Sequence, residues 1–369
     1  MFGEKIGPNK GMPKGLSLEE KKDWVAEKLY ESMYTREIID IGYKELSQKD
    51  IEAKKQNIDL TKEYPLEINA LFEIGTNTAT LLYFSDELKD LGVNTYFVHA
   101  EIQIKDGKLK IFQPAYSQKG LLSQEEAKRV IIDRILMAKQ NGFSVGFVTD
   151  LPDVSFGIGR ENYDIKTLNP QYEKLVLEWA KIAEEYGVEY FVPINEYEVL
   201  LSVNGYSLEE VYQYTNDFYE DIIPKIREVY NGKIIIKSGG MDSWSDHLGF
   251  SKKGADLFGF GPWYACNTDE IKRRTKELVE VADEISIRDG VPWLVTEYYI
   301  ATQEDIDEDV DESFSERGVA IPMGDAYRAG LSEIKKSKEN VGFTFTGYIG
   351  RGKIRGTEAV LILKDYFNE

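Results

Sequence analysis

Two apolar runs in this chain close on a glutamate: Tyr190-Phe191-Val192-Pro193-Ile194-Asn195-Glu196 and Val291-Pro292-Trp293-Leu294-Val295-Thr296-Glu297. Runs this apolar read as strands buried on both faces, where an ionised carboxylate is costly. A glutamate ending such a strand is therefore expected to point into a site rather than into the core. Two of them supply the parts for acid/base work, one carboxyl to give a proton and one carboxylate to take it or to attack.

The elements that must position this pair show in a repeated punctuation. Gly92, Gly142, Gly187, Gly232 and Gly290 each end an amphipathic helical pattern and precede a β-branched or aromatic run. Glycine is the usual residue just past a helix because it takes the left-handed conformation without a Cβ clash. At the other ends, Ser17, Ser123 and Ser207 each stand three residues before a glutamate (Glu20, Glu126, Glu210), the capping-box pattern. Asn169-Pro170 reads as an N-cap followed by proline at the first helical position. The face formed by Val176, Trp179, Ala180 and Ala183 should then pack on a sheet.

The spacing predicts strands at Leu71 to Thr76, Thr95 to Ile104, Val145 to Asp150, Tyr190 to Asn195, Lys233 to Lys237, Leu257 to Gly261, Trp293 to Glu297 and Gly342 to Gly347. Strands alternating with helices for this long, with no glycine-rich phosphate loop after the first, predict a (β/α)8 TIM barrel over residues 63 to 369 rather than a doubly wound sheet. Residues 1 to 62 read as an N-terminal helical extension, with helices over Leu18 to Ser32 and Ser47 to Gln56 and no strand.

Composition narrows the partners. With 45 basic against 65 acidic residues the net charge is -20, which repels phosphate backbones and anionic membrane surfaces, so neither nucleic acid nor membrane is expected. Hydrophobic residues at 42% and charged residues at 30% fit a folded chain with ample core. The single Cys266 permits no intramolecular disulfide, and the only histidines, His99 and His247, are too few for a histidine-rich metal barrel. No apolar stretch reaches the ~20 residues that span a bilayer. Localisation stays open between the cytoplasm and secretion with a signal peptide outside this numbering. The abundance of Lys, Glu, Ile and Tyr fits a thermophilic source.

In a barrel, chemistry sits at the C-terminal ends of the strands, where Glu196 and Glu297 end the fourth and seventh. A fourth-strand Asn-Glu pair, Asn195-Glu196, with a seventh-strand glutamate about a hundred residues on, Glu297, resembles clan A of the glycoside hydrolases, the 4/7 superfamily, and the general look of strands 4 and 6 is similar to its mannan-active members. The resemblance implies a retaining β-glycoside hydrolase with no cofactor or metal, acting on a carbohydrate with β-linked sugars. It assigns Glu196 as general acid/base, Glu297 as nucleophile and Asn195 as a partner of the sugar 2-hydroxyl. Tyr264, in Gly261-Pro262-Trp263-Tyr264, is similar to the clan's tyrosine that donates to the nucleophile. Two departures concern the sugar bound: clan members commonly carry an arginine near the end of strand 2 and a tryptophan after strand 8. This chain has His99 and Glu101 at the first place, and Phe343, Phe345, Tyr348 and then Arg351 at the second.

Plainer readings stand beside these. Glu198 is an alternative acid, since strand alternation would put 196 and 198 on one side. Tyr264 is equally readable as a structural tyrosine. Trp263, Trp244, Tyr298 and Tyr299 fall in or beside βα loops, where flat rings stack on sugar faces; Trp293 reads as core. His99 reads as an interior histidine beside the site, with substrate contact as the alternative. Asp305, Asp307, Asp309, Asp311 and Glu316 have the spacing of a calcium loop, but Val310 stands where that loop needs glycine, which favours a solvated acidic loop. Two rival functions remain: a catalytically silent sugar-binding barrel, and a metal-dependent barrel enzyme using Glu196, Glu297, Asp150 and His99.

Overall fold

A computed structural model describes residues 10–35, 39–41, 43–44, 46–72, 77–105, 107–111, 122–150, 165–240, 243–264, 266–301, 321–349 and 353–368. The acidic segment 305 to 316 and Arg351 lie outside them. Eight apolar runs form the strands β1 Ile68–Phe72, β2 Thr95–Lys105, β3 Ser144–Asp150, β4 Tyr190–Val192, β5 Lys233–Ser238, β6 Leu257–Phe260, β7 Trp293–Ile300 and β8 Asn340–Phe345. Each pairs in parallel with the next, and β8 returns to β1, so the sheet closes into a (β/α)8 TIM barrel with no free edge.

Alternation along the strands sorts the core into two layers. Ile68, Phe72, Phe97, Val148, Val192 and Leu294 belong to the cluster that fills the barrel. A larger cluster, including Val176, Trp179, Ala180 and Ala183 as expected, lies between strands and helices. Gly146 on β3 belongs to the inner layer by close approach: a Cβ there would fall 2.3 Å from the Phe97 ring.

The helix boundaries follow the caps. Ser123 and Ser207 form complete capping boxes with Glu126 and Glu210, and Ser17 exchanges bonds with Glu20 in the same way. Gly92, Gly142, Gly187 and Gly290 take positive φ. Gly232 does not. It is needed for room, since a Cβ there would meet the Tyr230 hydroxyl at 2.1 Å.

Three other expectations need correction. The helix expected to start at Pro170 begins at Ile165, with Pro170 inside it; near the N-terminal end a proline forfeits only one intrahelical bond. The Asn169 side chain accepts from the Tyr197 hydroxyl at 2.8 Å instead of capping. β1 begins three residues before the expected start at Leu71, with residues 73 to 76 of that expectation outside the described ones; Asn69 in the ladder donates its N–H to Asn94 Oδ1 at 3.1 Å and its Nδ2 to the Phe367 carbonyl at 3.5 Å. Residues 1 to 62 hold, besides helices Leu18–Thr35 and Gln48–Lys55, a parallel pair of two-residue strands, Lys10–Gly11 and Ile39–Asp40. This region packs on the barrel's outer helices. Val25 and Ile51 are fully buried in the larger core, and Lys54 and Tyr43 both bond Asp133, at 2.6 and 2.9 Å.

The inner layer gives a direct test of packing. Gly146→Val would force a side chain into the Phe97 ring, and overpacking of this kind costs about 1–3 kcal/mol. Urea denaturation of the variant should show an unchanged slope and a midpoint lowered by that free energy divided by the slope.

Candidate active site

Glu196 and Glu297 reach the same point from opposite sides of the barrel because the backbone departs from regular strand at both. At β7, Val295 pairs with Phe343 and Tyr298 with Phe345, so three residues of β7 advance against two of β8. This bulge re-aims the strand end. Thr296, which abuts Gly259, and Glu297 both face the interior, while Tyr298 returns to the outer layer. At β4, regular pairing stops at Val192 rather than at Asn195, and Asn195 regains a single bridge to Lys237. Glu196 then sits in the left-handed region at φ 54 and ψ 49, alone in this among the described non-glycine residues. For a residue with a Cβ that conformation carries a cost of roughly 1–2 kcal/mol. It turns the chain at once into the helix Tyr197–Val203 and swings the Glu196 carboxyl back over the barrel.

Between the two carboxylates lies Lys237, on the inward-facing side of β5. Its ammonium donates to Glu196 Oε1 at 2.5 Å and to Glu297 Oε2 at 2.9 Å. Lys237 and Glu297 are buried, whereas the Glu196 side chain keeps 24% of its exposure. Two glycines make room: a Cβ at Gly239 would fall 2.4 Å from Glu196 Cδ, and one at Gly261 would fall 3.2 Å from Glu297 Cβ and 3.3 Å from Lys237 Nζ. Burial works against the charge on Lys237, yet the two carboxylates outweigh it and hold the ammonium protonated beyond its ordinary range. Burial pushes the Glu297 carboxyl up to about 8; Lys237 opposes that rise and the negative Glu196 adds to it.

A second group lines the β2–β4 side. His99 Nδ1 lies 3.2 Å from Asp150 Oδ2, and Asp150 Oδ1 accepts from Asn195 Nδ2 at 2.7 Å. This fixes the amide, and Asn195 Oδ1 has no hydrogen-bond partner among the described residues. Burial holds His99 below its ordinary value against the pull of Asp150, which leaves the imidazole neutral. Its ring stands edge-on to Phe72 at 4.2 Å. Among the described residues, no group of three or more His, Cys, Asp or Glu side chains is arranged to hold a metal ion.

Several candidates fall elsewhere. Tyr264 is buried, and its hydroxyl bonds Thr275 at 2.9 Å, on the helix Thr268–Asp289 behind the barrel. The short strand Trp263–Tyr264 pairs with the end of β7 in a register that turns this tyrosine outward, so the partner of Glu297 is Lys237. Tyr298 is likewise spent on packing: it is fully buried, donates to the Ala326 carbonyl at 3.1 Å and stands edge-on to Tyr264. Glu198 does not share a side with Glu196, because helix replaces strand after Glu196. It is buried, and its Oε1 accepts from the Gly239 N–H at 2.7 Å, behind the site. Trp263 remains half-buried at the strand ends, its ring 4.5 Å from that of Tyr299. Trp244 packs on His247 and Phe260, each at 5.7 Å between centroids. Trp293 is core as expected, its Nε1 on Asp283 at 2.8 Å.

Lys237 went unremarked in the sequence. The signal is one of parity: it stands two residues after the inward-facing Ile235, at the C-terminal end of the strand where a site would lie, which puts a cation on the inner face there.

No protein-family model matches the sequence, and no curated protein matches it. Among solved structures the fold is similar to a GH113 β-1,4-mannanase, at 13% identity and TM-score 0.57, covering 85% of this chain and 100% of the other. It is also similar to an endo-β-1,4-mannanase from Thermotoga petrophila, at 11% identity and TM-score 0.58, over 84% of this chain and 77% of the other. A GH5 xyloglucan-specific endo-β-1,4-glucanase from a metagenomic library gives 11% identity and TM-score 0.52 over 87% of this chain and 100% of the other. At these identities the likeness is one of fold, that of a (β/α)8 barrel.

The outward position of Tyr264 is testable. Tyr264→Phe and Thr275→Val each remove the same bond and should each cost about 1 kcal/mol of stability. In a double-mutant cycle by urea denaturation, the paired variant should lose less than the sum of the two.

Proposed function

We propose that this protein hydrolyses β-linked glycosides with retention of configuration, using Glu297 as nucleophile and Glu196 as general acid and base. The observation that carries the reading is the convergence of two glutamates, from the ends of β4 and β7, on one ammonium. One nitrogen bonded to both holds the two carboxyls close together, as direct attack requires, for which carboxyls ~5–5.5 Å apart are needed.

The division of labour follows from exposure. In the first step a Glu297 oxygen attacks the anomeric carbon, and the bond to the leaving oxygen breaks as Glu196 gives that oxygen its proton. In the second, Glu196 takes a proton from water, whose oxygen attacks the anomeric carbon and releases Glu297. The group that must reach leaving group and water is the one at the mouth, and the group that attacks from within is the buried one. Asn195 Oδ1, fixed through Asp150 and His99, supplies an acceptor for a sugar hydroxyl. The half-buried Trp263 ring, backed by the buried Tyr299, offers a flat apolar surface for a neighbouring sugar. The mannanases and endoglucanases of similar fold favour a β-1,4-linked hexose polymer as substrate.

Lys237, clamped on both carboxylates, also fits a sugar-binding barrel without turnover, and the same experiment separates the two readings. Aryl β-glycosides and β-1,4-oligosaccharides are incubated with the parent chain, with Glu297→Ala and with Glu196→Ala, each with and without azide. Glu297→Ala should yield a glycosyl azide of inverted configuration and Glu196→Ala one of retained configuration, the latter only from substrates with good leaving groups. Turnover by the parent chain with full rate in both variants would refute the roles of these glutamates. Saturable oligosaccharide binding without turnover would identify the silent barrel.

A further inference from the structure

The cation at the centre of the site has no part in the two steps above. Lys237 has no exposed side chain, and its ammonium is shared between Glu196 and Glu297 at 2.5 and 2.9 Å. Beneath it the Phe72 ring from β1 lies 5.0 Å away, and Gly261, after β6, closes the space with no side chain. Among the described residues, Asp150 from β3, whose charge works against ionisation of Glu297, and His99 from β2, which burial keeps neutral, also face the trio.

We infer that Lys237 is a positioning residue that keeps the buried Glu297 able to ionise and passes its charge partnership to Glu196 when Glu297 reacts. This rests on the retaining reading for its effect on rate. In the reacting form the negative carboxylate is Glu297 and the proton is on Glu196; in the free site near neutral pH the proton stays on Glu297, pushed up to about 8, and in either arrangement one ammonium balances one carboxylate. Once Glu297 is consumed as a glycosyl ester it carries no charge, and Glu196 has just lost its proton to the leaving group. The ammonium then faces one carboxylate again, now the one that must take a proton from water. The trio stays neutral through both steps, and neither requires a lone charge in the barrel interior, where one is costly. Because both contacts are made by one nitrogen, the gap between the two carboxylates is also set by a single atom.

The test reads Glu297 without substrate. The carboxyl stretch of Glu297 is followed by infrared difference titration and assigned by its loss in Glu297→Gln. In Lys237→Met its midpoint should move upward by at least about one pH unit, the size expected for removing an opposite charge at this distance. The rising limb of kcat/KM should move with it, with kcat falling more than KM rises. A folded Lys237→Met whose Glu297 midpoint stays in place overturns the inference. Should Lys237→Met not fold, Lys237→Met/Glu297→Gln decides: folding of the double variant means that the uncompensated carboxylate was the fault, as the inference requires. If neither folds, Lys237 is needed for packing and the inference is overturned. A shifted midpoint in a chain whose parent hydrolyses no β-glycoside supports the charge coupling and sets the failure on the hydrolase reading.

Discussion

Charge balance in a space with little water governs this barrel's C-terminal end. Two carboxylates cannot share the interior without a countercharge, and a lone lysine there would be costly too. Lys237 satisfies both requirements through contacts at 2.5 and 2.9 Å, and much of the neighbouring irregularity is what brings the three groups within reach. The β7 bulge turns Glu297 inward, Gly261 vacates the volume beside it and Gly239 that beside Glu196, and the left-handed turn at Glu196 brings the third member over the strand ends.

The remainder of the barrel is regular, and that regularity makes the local departures possible. Eight strands closed on themselves leave no edge, and the inner layer at Phe97, Gly146 and Val148 is packed tightly enough to hold the strand ends in place. A site assembled from β2, β3, β4, β5 and β7 needs five separate strand ends at fixed spacing. The closed sheet provides this.

The barrel was legible because its signals are local and repeated. Capping serines with their glutamates, glycines at helix ends and β-branched runs act over a few residues, and seven of the eight strands fall close to where the spacing puts them. The glutamates were legible because a carboxylate at the end of an apolar run has few structural uses. What escaped was direction. Tyr264 stands in a promising loop, but only the register of the short strand against β7 reveals that its hydroxyl faces Thr275. Glu198 was misplaced by extending strand alternation past a residue where the chain leaves the strand. Lys237 was overlooked for a different reason: lysine in a strand normally belongs to the solvated face, and its meaning depends on two glutamates 41 and 60 positions away.

The backbone at Glu196 bears on which residue the fold itself would choose there. A left-handed position after a strand and before a helix is met most cheaply by glycine, and next by asparagine. By folding free energy alone, position 196 should drift toward those residues, since either relaxes the turn and lightens the interior charge. A glutamate at this place is thus maintained against the preference of its own backbone. The chain gives up part of its stability to keep a carboxyl group at that one point in space.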